Sequence, residues 1–128
     1  MTASRQRVLV VDDMAENRDL LVRRLQRQGV DTAEAVNGAE ALQMLRSDHF
    51  DLVLLDIMMP VLDGFHVLEQ MKASPELREL PVIVISAMSE IESAVRCIEL
   101  GADDYLTKPF NPVLLRARVN ACLEKKAW

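Results

Sequence analysis

The sequence predicts an α/β protein: a parallel, doubly wound sheet with helices on both faces, built from five β/α units. Three observations carry that prediction. The chain has 128 residues, enough for one domain and scarcely for two. Short apolar runs alternate strictly with longer stretches of helical periodicity, and the compact solution to that order is a parallel sheet covered by helices. The apolar runs also lack polar alternation, so each reads as a strand buried on both faces.

The elements follow in order. Residues 1–6, MTASRQ, are polar and expected to be loose. RVLVV at 7–11 is the first strand. The first helix spans about 15–28, with Leu21 and Leu25 on one face and Gly29 as its stop. DTAEA at 31–35 is a weaker strand and therefore a candidate edge. The second helix starts at Asn37, with Glu40 three residues on as capping-box partner, and carries Ala41, Leu42 and Leu45. DLVLLD at 51–56 is the third strand, and the helix after it starts near Asp63 or Gly64 and carries Phe65, Leu68 and Met71. PVIVIS at 81–86 is the fourth strand. Its helix opens with a capping box, SEIE at 89–92, is expected to bury Ile91, Val95 and Ile98, and stops at Gly101. DYLTK at 104–108 is the fifth strand. The fifth helix takes Asn111 as cap and Pro112 at its first position, with Leu115, Val119 and Cys122 along one face.

Composition narrows the function. Aromatics make up 4% of the chain, so the core must be aliphatic and no stacking platform for single-stranded nucleic acid is available. A net charge of −5 argues equally against a nucleic-acid surface. No apolar run approaches the ~20 residues of a membrane span. Cys97 and Cys122 are too far apart for a CxxC pair and read as two buried, reduced thiols. With no signal peptide in view, they point to a cytoplasmic protein. His49 and His66 read as surface or capping residues rather than metal ligands.

The chemistry sits at the carboxyl ends of the strands, where ligands bind in open sheets of this class. The first strand ends in Asp12 and Asp13, the third in Asp56, the fourth in Ser86 and the fifth in Lys108. Singly, each is an ordinary turn, cap or solvated residue. Together they fall on one rim. If the first and third strands are neighbours, three carboxylates converge and push one another's pKa values up. A divalent cation removes that conflict, and hard oxygen ligands completed by water suit Mg²⁺. One of the aspartates can then attack phosphorus and form an aspartyl phosphate. Ser86 can donate to a phosphoryl oxygen, and Lys108 can pair with another as a point charge.

From about Val8 to about Leu123 the chain resembles the receiver domain of two-component response regulators. The motifs are VVDDM at 10–14, LLDIMMPVLDG at 54–64, VISA at 84–87 and GADDYLTKPF at 101–110. The resemblance implies a single receiver domain over 1–128, with its core at about 7–124. It also implies a flavodoxin-like fold with strand order 2-1-3-4-5. It makes Asp56 the phosphoacceptor and Asp13 a direct Mg²⁺ ligand, with Asp12 helping through water or a looser contact. The backbone carbonyl of Met58 becomes a further ligand, and Mn²⁺ a substitute metal. Ser86 becomes the switch hydroxyl, Ala87 the small residue at the entrance, Lys108 the phosphoryl partner and Tyr105 the switch aromatic. Lys108–Pro109 looks like the family's cis peptide, and Gly64 and Pro60 shape the loop after the acceptor. A histidine kinase or phosphotransfer protein would supply the phosphoryl group. The fourth helix, fifth strand and fifth helix would form the face read by an effector in cis or in trans. A switch of that kind needs phosphorylation to favour the active state by about 3–5 kcal/mol.

Some points stay open. A phosphorylation-dependent homodimer through that face would use matched charges, yet the fourth helix offers only Arg96 as a base and position 114 is Leu. Asp103, Asp104, Arg116 and Arg118 remain as candidates for pairing across a two-fold. Met58 and Met88, two residues beyond Asp56 and Ser86, are either plain loop side chains or a shield against water. An aspartate-based phosphatase of the haloacid dehalogenase-like kind would want a DxD arrangement after the first strand. Here the acids are adjacent, Met14 follows, and no cap insertion is present. A degenerate receiver acting only as a single-domain scaffold or adaptor would lack Asp13, Asp56 or Lys108, and all three are here. The end at LEKKAW fits a single-domain regulator or, the favoured expectation, a receiver cut from a longer protein.

Overall fold

In the computed structural model, residues 6–59, 62–87 and 91–127 are described. Pro60, Met88 and the Ser89–Glu90 start of the expected capping box lie outside them. Strand and helix alternate as β1 (Arg7–Val11), α1 (Ala15–Arg27), β2 (Asp31–Ala35), α2 (Gly38–Ser47), β3 (Leu52–Leu55), α3 (Gly64–Ala73), β4 (Val82–Ser86), α4 (Ile91–Glu99), β5 (Asp104–Thr107) and α5 (Pro112–Ala127). The strands form one parallel sheet in the order β2-β1-β3-β4-β5. The chain thus runs outward from β1 to β2 and then returns to the other side of β1, which makes the β1/β3 rim the point where strand order reverses.

Every strand but β2 feeds two cores, because alternate side chains face opposite sides. Val8 and Val10 join Leu21 and Leu25 of α1 and Leu115, Val119 and Cys122 of α5. Leu9 and Val11 join Leu42 and Leu45 of α2, Phe65, Leu68 and Met71 of α3, and Cys97 of α4. Central strands β1, β3 and β4 are therefore apolar apart from Arg7 at the start of β1 and Ser86 at the end of β4, while β2, an edge, is half exposed as its sequence suggested. No helix among the described residues is long and apolar enough to cross a membrane.

Local signals place the helix ends. The Asn37 side chain accepts the Glu40 N–H at 2.8 Å, and the Glu40 carboxylate reaches back to the Val36 N–H at 3.0 Å, one residue earlier than in the usual box. Asn111 accepts from the N–H groups of Val113 and Leu114. Gly29 and Gly101 stop α1 and α4 in the left-handed region, at φ of 83° and 108°. Neither cysteine is in a disulfide, and both are buried. Burial pushes the Cys97 thiol up to about 11, against a smaller pull from Arg96.

One expectation is overturned. Ile91, Val95 and Ile98 do not pack inward from α4; they are 79%, 49% and 48% exposed. Cys97 is the buried residue of that helix, and Ser93 and Ala94, one turn before it, are half-buried. The stripe is a true helical stripe, but the small side chains face the sheet and the large ones face away. Periodicity reports that a helix has an apolar face; it does not report what covers it.

Candidate functional site

The sheet ladder extends one residue past three strand ends, and those extra hydrogen bonds place the candidate side chains. Asp12 N–H donates to the Ala35 carbonyl at 3.2 Å, Asp56 N–H to the Val11 carbonyl at 2.9 Å, and Lys108 N–H to the Ser86 carbonyl at 2.8 Å. Because Val11 pairs with Leu55, Asp12 and Asp56 emerge side by side. Because Leu55 pairs with Val84, Ser86 emerges beside them at the end of β4. Lys108 follows β5, and its peptide to Pro109 is cis.

Asp12, Asp13 and Asp56 present carboxylate oxygens that all lie within 4.8 Å of one another. Asp12 and Asp56 are buried, and Asp13 is exposed. The Lys108 ammonium lies 2.7 Å from Asp12 Oδ2 and 3.6 Å from Asp56 Oδ2. Its closer partner in this state is thus Asp12. The other oxygen of Asp12 accepts the Met14 N–H at 2.9 Å. One lysine does not balance three carboxylates. Burial pushes the Asp56 carboxyl from 3.8 up to about 6; Lys108 pulls it down, Asp12 pushes it up, the Met58 N–H pulls it down and Asp13 pushes it up again.

An all-oxygen donor set with excess negative charge fits a hard divalent cation, which would leave room for several waters. Ser86 is fully buried at the rim, and Ala87 after it is exposed. Tyr105 is half-buried on β5, opposite Val84, and packs against the core shared by α2, α3 and α4. Met58 is exposed beside the cluster, and its neighbours Ile57 and Met59 turn into the core. His49 and His66 lie away from the cluster, on Asp51 and Asp63.

Gly64 packs tightly against the residues that end β3 and follow it. Gly64 N–H donates to the Ile57 carbonyl at 2.9 Å. A Cβ there would lie 2.6 Å from both the Asp56 carbonyl oxygen and Ile57 Cδ1. Gly64→Ala is therefore expected to displace the backbone of Asp56 and to destabilise the fold by about 1–3 kcal/mol. Urea unfolding measures the loss; a variant as stable as the parent would show that the backbone at Asp56 and Ile57 yields freely.

Sequence reasoning passed over Arg18. Its guanidinium donates from Nη1 to the Asp12 carbonyl at 2.9 Å and from Nε to Glu34 at 3.1 Å. A signal was available: a cation in the first turn of a helix opposes the macrodipole, so it wants a local reason.

A doubly wound sheet with an acidic cluster, a hydroxyl and a lysine at its switch point has the parts that phosphoryl-handling chemistry uses. The response regulator receiver domain model matches residues 8–120, and the chain belongs to that family. It is a receiver domain of two-component signalling. It is 39% identical over 121 residues to the probable transcriptional regulator ycf27 of Porphyridium aerugineum, covering 94% of this chain and 49% of that protein. It is 41% identical over 115 residues to the response regulator PleD of Caulobacter vibrioides, covering 90% of this chain and 25% of that one. The receiver domain of Francisella response regulator 1452 superposes with a TM-score of 0.88 at 34% identity, over 94% of this chain and 98% of that one. The chain thus spans half or less of the length of these two regulators.

Proposed function

We propose that Asp56 accepts a phosphoryl group from a phosphohistidine of a histidine kinase or phosphotransfer protein. One observation carries the reading: three carboxylates within 4.8 Å of one another, with Lys108 between Asp12 and Asp56. An oxygen of Asp56 attacks phosphorus, the P–N bond to the donor imidazole breaks, and the leaving nitrogen takes up a proton. Asp12, Asp13, Asp56 and the Met58 carbonyl would hold Mg²⁺, with Mn²⁺ as substitute. When bound, the cation offsets the clustered negative charge and shields the incoming phosphoryl group. Lys108 and the Met58 N–H favour the ionised, nucleophilic form of Asp56, against its burial.

After transfer, the Ser86 hydroxyl and the Lys108 ammonium hold phosphoryl oxygens. Lys108 already lies between two carboxylates and needs only a small shift. The loop after β4 is drawn in and Tyr105 follows behind it. The readout face is α4–β5–α5. Its exposed Ile91, Val95, Ile98 and Leu114 supply apolar area for an effector, in cis or in trans, or for a second copy. Arg118 is 3.1 Å from Asp104 of the same chain, so a homodimer through matched charges would re-pair them. A groove of about 350 Å³, lined by Leu20, Leu21, Lys108 and Phe110 among others, opens beside the site. The chain acts as a cytoplasmic regulatory domain rather than as an enzyme on external substrates.

Acetyl phosphate with Mg²⁺ should add a single phosphoryl group that decays slowly, seen by intact mass. Millimolar Mg²⁺ should raise the thermal midpoint, because it binds the folded site. Labelling that is indifferent to EDTA, with an unmoved midpoint, would remove the metal site. Continuous hydrolysis of unrelated phosphate esters would point to a phosphatase instead.

A further inference from the structure

We propose that Arg18 is a positioning residue for the divalent-cation site, fixing the peptide that aims Asp13. The proposal rests on the reading of Asp12, Asp13 and Asp56 as cation ligands.

The carbonyl that Arg18 holds belongs to the peptide joining Asp12 to Asp13. Asp12 itself is pinned at four points. Its N–H bonds the Ala35 carbonyl, its carbonyl bonds Arg18, and its two carboxylate oxygens bond the Met14 N–H and Lys108. Asp13 differs. It is exposed, and among the described residues its carboxylate has no hydrogen-bond or ion-pair partner. Its direction is therefore set by the backbone behind it. Rotating the 12–13 peptide would swing the Asp13 Cα–Cβ bond away from Asp12 and Asp56. The guanidinium clamp on the carbonyl resists that rotation.

Arg18 is built for the task. Its side chain is 15% exposed, so the clamp is little loosened by water. The planar fork engages the carbonyl and Glu34 together, which a lysine ammonium on a flexible stem does less well. Glu34, on edge strand β2, holds the fork from its other side. As a mere surface ion pair, Arg18–Glu34 would be worth little; the bond to a carbonyl beside a ligand gives it a purpose. Groups that orient metal ligands from behind typically change metal affinity by ~10–100-fold when lost.

Charge and position act here in opposite directions. A positive guanidinium near the site opposes a cation, while the clamp it supplies favours one. The two effects separate in a titration of thermal midpoint against Mg²⁺ concentration on the full chain, compared across parent, Arg18→Lys, Arg18→Met and Glu34→Gln. The Mg²⁺ concentration for half the maximal shift should rise about tenfold in Arg18→Met. It should rise clearly in Arg18→Lys, which keeps the charge and loses the fork, and least in Glu34→Gln. An unchanged value in Arg18→Lys with tighter Mg²⁺ binding in Arg18→Met would overturn the proposal in favour of charge alone. Lowered metal-free midpoints with unchanged titrations in all three variants would overturn it in favour of a purely structural arginine. A parent protein that ignores Mg²⁺ would instead defeat the cation reading on which the proposal stands.

Discussion

Replacing Asp56 with asparagine should abolish labelling by acetyl phosphate and, in metal-free buffer near pH 7.5, stabilise the fold by about 2–3 kcal/mol. The first effect follows from losing the attacking oxygen. The second follows from the site's electrostatics. Burial and two acidic neighbours raise the Asp56 carboxyl from 3.8 to about 6 despite Lys108. Below the unfolded value both states hold the proton. Between 3.8 and about 6 the folded protein keeps a proton that the unfolded chain has released. Stability then falls as pH rises, and above about 6 the whole penalty is present. A shift of this size corresponds to about 3 kcal/mol. Asparagine carries no charge and escapes it. Urea unfolding in EDTA at pH 4.5 and 7.5 would show the variant's advantage growing with pH. An advantage that is absent or independent of pH would contradict the strained carboxylate, and labelling that persists at full stoichiometry would contradict the acceptor assignment.

Lys108→Met should act in the opposite direction, destabilising the metal-free protein by about 2–4 kcal/mol. The ammonium is the only cation that the structure places within 4 Å of the cluster's carboxylates, at 2.7 Å from Asp12 and 3.6 Å from Asp56, among the described residues. Without it, a buried Asp12 charge is left with one backbone donor beside a second buried acid. Pairing the change with Asp12→Asn should recover most of the loss, because the stranded charge goes with it. Excess Mg²⁺ should also shrink the loss. A double variant no more stable than Lys108→Met alone would show that the lysine supports the fold by packing its stem rather than by charge.

The fold was legible because the apolar runs and helix signals agree. VLVV, LVLL and VIVI are too short for helices, too apolar for wet strands, and spaced by helical stretches with their own caps and stops. The edge character of DTAEA was legible for the same reason, since a strand with one open side tolerates Thr and Glu. The acids at the ends of 7–11 and 51–56 were visible as a coincidence of positions. Their convergence within 4.8 Å depended on β1 and β3 being neighbours, which the alternation alone leaves open and the resemblance to receiver domains supplied.

Other features were out of reach of a linear reading. The stripe at Ile91, Val95 and Ile98 promised burial, and the helix instead turns Cys97 inward. An apolar stripe lowers its free energy against any apolar surface, and the residues alone do not name that surface. The sequence marked Lys108 as a charge for the rim, yet which of two carboxylates it approaches is a matter of about 1 Å. Arg18 carried a faint signal at a helix start, but its contacts with the Asp12 carbonyl and Glu34 form only in the fold.

By itself, then, the sequence determined the order of elements and the residue types on the rim, because hydrophobic period and capping are local in the chain. Only the tertiary structure decided which face of α4 stays open, which acid Lys108 prefers and which carbonyl Arg18 holds. Those outcomes depend on distances between residues far apart in sequence, and electrostatic and hydrogen-bond energies change sharply over an ångström.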